Sequence, residues 1–146
     1  MSQPVPRVSC FLLVDERGWV LLQERDEGAP THANQWCTPG GHLEAGETFA
    51  DAAYREAWEE TGVVFRDGEL VPWLEQRHDC PQCGPIDHAF FMADVDLVDA
   101  DIRCTEGRQL VFADPQAIPG LALTPSSRHF LDLFLASDSY RGLVQR

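Results

Sequence analysis

The sequence predicts an α/β sandwich, because short apolar runs bounded by turn residues are interleaved with two amphipathic helical patterns. The chain has 146 residues and is 44% hydrophobic, which suits a single domain over 1–146 with a sizeable core.

Residues 9–14 and 19–23 are strand-like and flank Asp15-Glu16-Arg17-Gly18, so they read as a hairpin. Residues 26–34 are polar, contain Gly28 and Pro30, and read as a loop. A short run at 36–41 ends in Pro39-Gly40-Gly41, a sharp backbone feature. Residues 48–61 form the clearest helix: Thr48 can cap it, Asp51 lies where a capping box places its acid, and Gly62 stops it. Residues 63–75 and 89–95 are expected to be strands joined through a Cys/Pro/Gly-rich loop, and 109–113 a further short strand. The last helix is expected to begin near Pro125 after Thr124, with Phe130, Leu133 and Phe134 as its apolar face.

The formal charge is −13, from 24 acidic and 11 basic side chains. Such a surface repels nucleic acid polymers and acidic membranes, which argues against either as a partner. A phosphate-bearing substrate would need local positive charge, and a divalent cation is the obvious source. No apolar run approaches membrane-spanning length, and Met1 to Arg7 do not read as a signal peptide. Five scattered cysteines are no disulfide framework, so the expected compartment is a reducing cytoplasm.

The helix at 48–61 carries Arg55, Glu56, Glu59 and Glu60. At roughly 100° per residue the three glutamates fall within an arc of about 100°. Like charges at i,i+4, as in Glu56 and Glu60, destabilise an isolated helix. Beside them runs a small or apolar face of Ala50, Ala53, Tyr54 and Ala57, expected to pack on the core. The carboxylates therefore belong near the edge of the packed face, where crowding calls for cations. Arg55 supplies one through its i,i+4 relation to Glu59; hard divalent ions, which prefer oxygen, would supply the rest. Taken alone, three such glutamates would read as a solvated acidic face.

Their neighbours change that reading. Gly41, five residues, Glu47, seven residues, then Arg55-Glu56-Ala57-Trp58-Glu59-Glu60-Thr61-Gly62-Val63 resembles the Nudix box, over 41–63. Ala57 is smaller than the usual aliphatic residue there, and Trp36 to Gly41 resembles the segment leading into the box. The resemblance implies an α/β/α sandwich with a mixed sheet and a loop–helix–loop that binds magnesium or manganese. It implies Glu56, Glu59, Glu60 and the Gly40 carbonyl as metal ligands, Glu59 also as a candidate general base, and Arg55 as the residue orienting Glu59. Gly41, Glu47 and Gly62 would be structural, with Glu47 tying the loop to the helix. Glu106 lies in a region from which some members take a further catalytic carboxylate, with Asp101 a weaker competitor. Arg25 could reach a substrate phosphate, though a solvated strand-end arginine is as good a reading.

The implied reaction is hydrolysis of a phosphoanhydride bond in a nucleoside diphosphate linked to another moiety, by metal-activated water attacking phosphorus. A small-molecule nucleotide would be the partner, and a homodimer is compatible with the family. A catalytically silent nucleotide-binding or regulatory module is the alternative, but such proteins usually lose box glutamates that this chain keeps. A diphosphate isomerase would need a catalytic cysteine motif that is not found. Arg77, His78, Asp79 and Cys80 stand where some subgroups carry a marker proline or tyrosine, so the substrate is not specified.

Trp36 and Trp58 read as tryptophans bridging core and surface, His42 as an ordinary loop residue and His129 as a surface residue. Cys80-Pro81-Gln82-Cys83, with His78 and His88 nearby, has the spacing of half a zinc site. There is no second Cys-x-x-Cys and the histidines fit no standard finger, so an incidental hairpin loop is the expectation.

Overall fold

A computed structural model describes residues 4–145, so part of the Met1 to Arg7 stretch discussed above lies outside the described residues. Seven strands form one mixed sheet: β1 (Arg7–Val14), β2 (Val20–Glu24), β3 (Trp36–Cys37), β4 (Gly40–His42), β5 (Val71–Cys80), β6 (Gly84–Asp94) and β7 (Gln109–Ala113). The order is β3-β2-β1-β6-β5, with β4 also on β1 and β7 also on β2. Only β1 and β6 run parallel.

Strand β1 is apolar along most of its length because both of its faces are covered. Cys10, Leu12 and Val14 face one core with Val20, Leu22 and Phe90. Phe11 and Leu13 face the other, with Leu21, Phe91 and Phe112. Helix α1 (Phe49–Thr61) closes the second core through Ala53 and Ala57. Helix α2 (Pro125–Leu135) closes the first through Phe130, Leu131 and Phe134, and Tyr140 of α3 (Asp138–Val144) packs beside it. The result is the expected α/β/α sandwich.

Several elements differ from expectation. The 36–41 run splits at Thr38 and Pro39 into two short strands, because Trp36 and Cys37 pair with β2 whereas Gly40 and Gly41 pair with β1. Residues 63–70 are not strand; the strand begins at Val71 and runs on to Cys80. The Tyr54 hydroxyl accepts N–H bonds from Gly68 (2.9 Å) and Leu70 (3.1 Å), fastening this segment to α1 as a loop. The presumed long loop between the two strands shrinks to a turn at Pro81 to Cys83, since β6 starts at Gly84. Ala50 is exposed, and Ala52 is buried on α1 instead. On α2, Leu131 is fully buried while Leu133 is 41% exposed, so the apolar face is rotated from the one inferred. Helix α3 was not anticipated; Ser137 caps it by accepting from the Tyr140 N–H.

Leu131→Ala is expected to destabilise the fold by about 2–5 kcal/mol, and Leu133→Ala by less than about 0.5 kcal/mol, in denaturant titration. Equal effects would contradict this orientation of α2.

Candidate active site

Helix α1 begins with the expected capping box: Thr48 Oγ1 accepts from the Asp51 N–H and an Asp51 carboxylate oxygen accepts from the Thr48 N–H, both at 3.1 Å. It ends at Gly62, whose left-handed backbone (φ 79°) brings its N–H to the Trp58 carbonyl at 2.8 Å. Between these caps α1 holds Arg55, Glu56, Glu59 and Glu60 at fixed angles.

Arg55 is the hub. Its Nε and Nη2 donate to the two oxygens of Glu47 at 2.7 and 2.8 Å. Nη1 donates to Glu56 at 2.9 Å and Glu59 at 3.0 Å, and Nη2 also reaches the His42 carbonyl at 3.1 Å. Glu47 further accepts from the Glu44 N–H at 2.8 Å. The bidentate pair fastens the 43–48 loop to the helix, the tie inferred for Glu47. Arg55 holds the Glu47 carboxyl down to about 2, and these carboxylates, Glu47 first, raise the Arg55 value further. The anticipated Arg55–Glu59 pair is present, but Glu47 is the dominant partner.

The three helix glutamates occupy different surroundings. Glu59 is 46% exposed along its side chain and turned to Arg55. Glu56 is mostly buried; burial raises its pKa, and Arg55 opposes the rise. Its carboxylate lies over Gly41, where an added Cβ would sit 2.3 Å from Glu56 Oε1, so no larger residue fits there without moving it. Glu60 is only 3% exposed, and its Oε2 has no hydrogen-bond partner among the described residues. Burial, then the charges of Glu56 and Glu106, push its pKa up to about 9, while a hydrogen bond from the Gly40 N–H pulls the other way. It is thus the Gly40 N–H that is aimed at the cluster's most buried carboxylate.

Glu106 comes to the same place although it is distant in sequence. Thr105 Oγ1 donates to the Glu59 carbonyl at 2.8 Å and the Arg103 N–H to the Thr61 carbonyl at 2.9 Å. These bonds use carbonyls left open at the end of α1. From β2, Gln23 Nε2 donates to the Glu106 carbonyl at 2.8 Å. Neither Thr105 nor Gln23 was singled out in the sequence, though a glutamine inside an apolar strand is a signal that could have found the second. Asp101, the weaker competitor, instead caps a 3₁₀ turn by accepting from the Val98 N–H at 2.9 Å.

A cavity of about 660 Å³ opens here, lined by Gly40, Gly41, Glu56, Glu106, Gln23 and Arg25. Arg25 Nε donates to the Thr31 carbonyl at 3.0 Å, which holds the guanidinium at the rim. Trp36 is half-buried against the first core, Trp58 is exposed, and His42 is exposed. His129, expected on the surface, is half-buried: its ring lies 4.9 Å from that of His78, and Nε2 meets Gln76 Oε1 at 2.7 Å.

Residues with oxygen donors suit a hard divalent cation, and the unpartnered buried Oε2 of Glu60 is the atom that most needs one.

The fold is shared with a crystallised MutT protein from Methanosarcina mazei, which superposes with a TM-score of 0.72 at 24% identity, over 90% of this chain and 94% of that one. The sequence matches the NUDIX domain over residues 3–134, and the chain belongs to the Nudix family of hydrolases. It is 33% identical over 132 residues to the low-salt glycan biosynthesis protein Agl8 of Haloferax volcanii, covering 88% of this chain and 81% of the relative. It is also 38% identical over 113 residues to phosphatase NudJ of Escherichia coli, covering 71% and 67%. No helix among the described residues is long and apolar enough to cross a membrane.

A buried acid with a raised pKa keeps its proton when folded, whereas the unfolded chain releases it above about 4.5. Glu60 therefore lowers stability progressively as pH rises from about 4.5 to about 9. In chelator, Glu60→Gln is expected to melt above the parent near about pH 8, with the difference closing towards about pH 4.5. An equal or lower melting temperature throughout would contradict this environment for Glu60.

Proposed function

We propose that this chain hydrolyses a phosphoanhydride bond in a nucleoside diphosphate linked to another moiety, with magnesium or manganese as cofactor. The observation that carries this is Glu60, a buried carboxylate with an unpartnered oxygen, grouped with Glu56 and Glu106 beside an open cavity. The kinship with a phosphatase supports chemistry at phosphorus.

Glu56, Glu59, Glu60 and the Gly40 carbonyl would hold the cation. When bound, such a cation would supply the positive charge that offsets substrate phosphates and the Lewis acidity that activates water near neutral pH. Arg55 keeps Glu56 and Glu59 oriented while Glu47 keeps Arg55 in place. The position of Glu106 in the cavity lining supports its carboxylate as acceptor of the proton of the attacking water, and the pairing of Glu59 with Arg55 supports a ligand role for Glu59. Arg25 stands at the rim, where it can meet a phosphate oxygen. Positioning and charge stabilisation then carry most of the rate. Five free cysteines support a reducing, cytoplasmic setting.

Profiling against nucleoside triphosphates, sugar nucleotides and dinucleoside polyphosphates, with each cation, is expected to find turnover that places ¹⁸O from labelled water in a phosphate product. No turnover on any of them would overturn the proposal.

Glu60→Gln is expected to lose at least about a hundredfold in kcat with its circular dichroism unchanged. Glu106→Gln is expected to lower kcat at least about tenfold with its circular dichroism unchanged. Retained turnover in folded Glu60→Gln would reject Glu60 as a ligand.

A further inference from the structure

The Cys-x-x-Cys run, for which the sequence suggested an incidental hairpin loop, has a neighbour in the fold that the sequence did not show. The two histidines expected beside it are elsewhere: His78 and His88 pack on Phe130, with ring centroids at 5.8 and 4.9 Å. A third histidine takes their place. His32, 48 positions from Cys80, brings Nε2 to 3.5 Å from Cys80 Sγ and 3.6 Å from Cys83 Sγ. The three ligand atoms all lie within 4.8 Å of one another, the one group of metal-ligating side chains so gathered among the described residues.

We propose that His32, Cys80 and Cys83 bind a zinc ion that pins the 26–34 loop to the β5–β6 turn. Tetrahedral zinc with Zn–S of about 2.3 Å and Zn–N of about 2.0–2.1 Å requires sulfur-to-nitrogen separations of about 3.6 Å. The observed 3.5 and 3.6 Å match that requirement with both sulfurs on the same nitrogen.

Backbone on both sides is shaped for this meeting. The Cys83 N–H bonds the Cys80 carbonyl at 3.2 Å, closing a tight turn, and Gly84 follows with φ at 80°. On the other side, His32 has φ at 51° and Asn34 at 63°, a left-handed bend that histidine and asparagine adopt more readily than most side-chain-bearing residues. Arg108 Nη2 holds that bend by donating to Asn34 Oδ1 at 2.7 Å.

The donor set chooses the metal. Two thiolates and an imidazole select zinc over magnesium or manganese, and two thiolates balance its charge without help from the acidic surface. Three protein ligands leave a fourth corner for water from the cavity, which His32, Cys80 and Cys83 also line. Because Arg25 is bonded to Thr31 beside His32, the ion would also set the position of the cavity rim. The site uses none of the α1 carboxylates, although it lines the same cavity as Glu56.

The test uses the full chain, purified under reducing conditions without a polyhistidine tag or added zinc. Elemental analysis is expected to find roughly one zinc per chain, falling at least about tenfold in Cys83→Ser and in His32→Gln. Cobalt replacing the zinc is expected to give a thiolate-to-metal charge-transfer band, which carboxylate ligands cannot produce. That band should vanish in Cys83→Ser and persist in Glu60→Gln. Stripping the zinc should speed amide exchange across 26–34. The proposal is overturned if the parent chain gives no such band, if zinc survives in Cys83→Ser or in His32→Gln, or if mass analysis finds Cys80 and Cys83 joined as a disulfide.

Discussion

One guanidinium organises the acidic side of this molecule. Arg55 faces Glu47, Glu56 and Glu59 at hydrogen-bonding distance, so a single positive charge stands among three carboxylates. Glu60 lies beyond its reach, buried and with one oxygen unpartnered. A helix carrying such charges has no reason to be stable in isolation; it stays because Thr48 and Gly62 cap it and Ala52, Ala53 and Ala57 pack it against the sheet. The scaffold thereby holds carboxylates that repel one another, and the deficit of positive charge is the property a dication can satisfy.

The rest of the fold serves this arrangement through a few long-range ties. Ser9 Oγ donates to the Phe49 carbonyl at 2.6 Å, fixing the start of α1 to the central strand. The Thr38 N–H bonds Ser127 Oγ at 3.0 Å, joining the segment before the box to α2 on the opposite layer. Thr105 and Gln23 bring in Glu106 from the far side. Each tie satisfies a polar group that would otherwise be open, so positioning the site and completing the fold are one process.

What was legible in the sequence follows the range of the interactions. Local chemistry was readable: the capping box of Thr48 and Asp51, the stop at Gly62 and the hairpin turn at Gly18 depend on neighbours a few positions away. The box glutamates were readable because their spacing is diagnostic of a family. The strand expected at 63–75 begins only at Val71, and just before it the Tyr54 hydroxyl takes the N–H groups of Gly68 and Leu70, a tie to α1 that propensity does not encode. The face of α2 was rotated because Leu131 and Leu133 are equivalent by composition and only packing separates them. His32 was invisible as a partner of Cys80 and Cys83 for the same reason: no sequence spacing relates a loop residue to a hairpin 48 positions away.

The claim on which the functional reading stands is that the α1 carboxylates gather a dication beside the cavity. Crystals soaked in manganese with nucleotide, and measured at a wavelength where manganese scatters anomalously, test it most directly. The expected result is an anomalous peak at coordination distance from the carboxylates of Glu60 and Glu56. A clean map beside that helix, with nucleotide visible in the cavity, would contradict it.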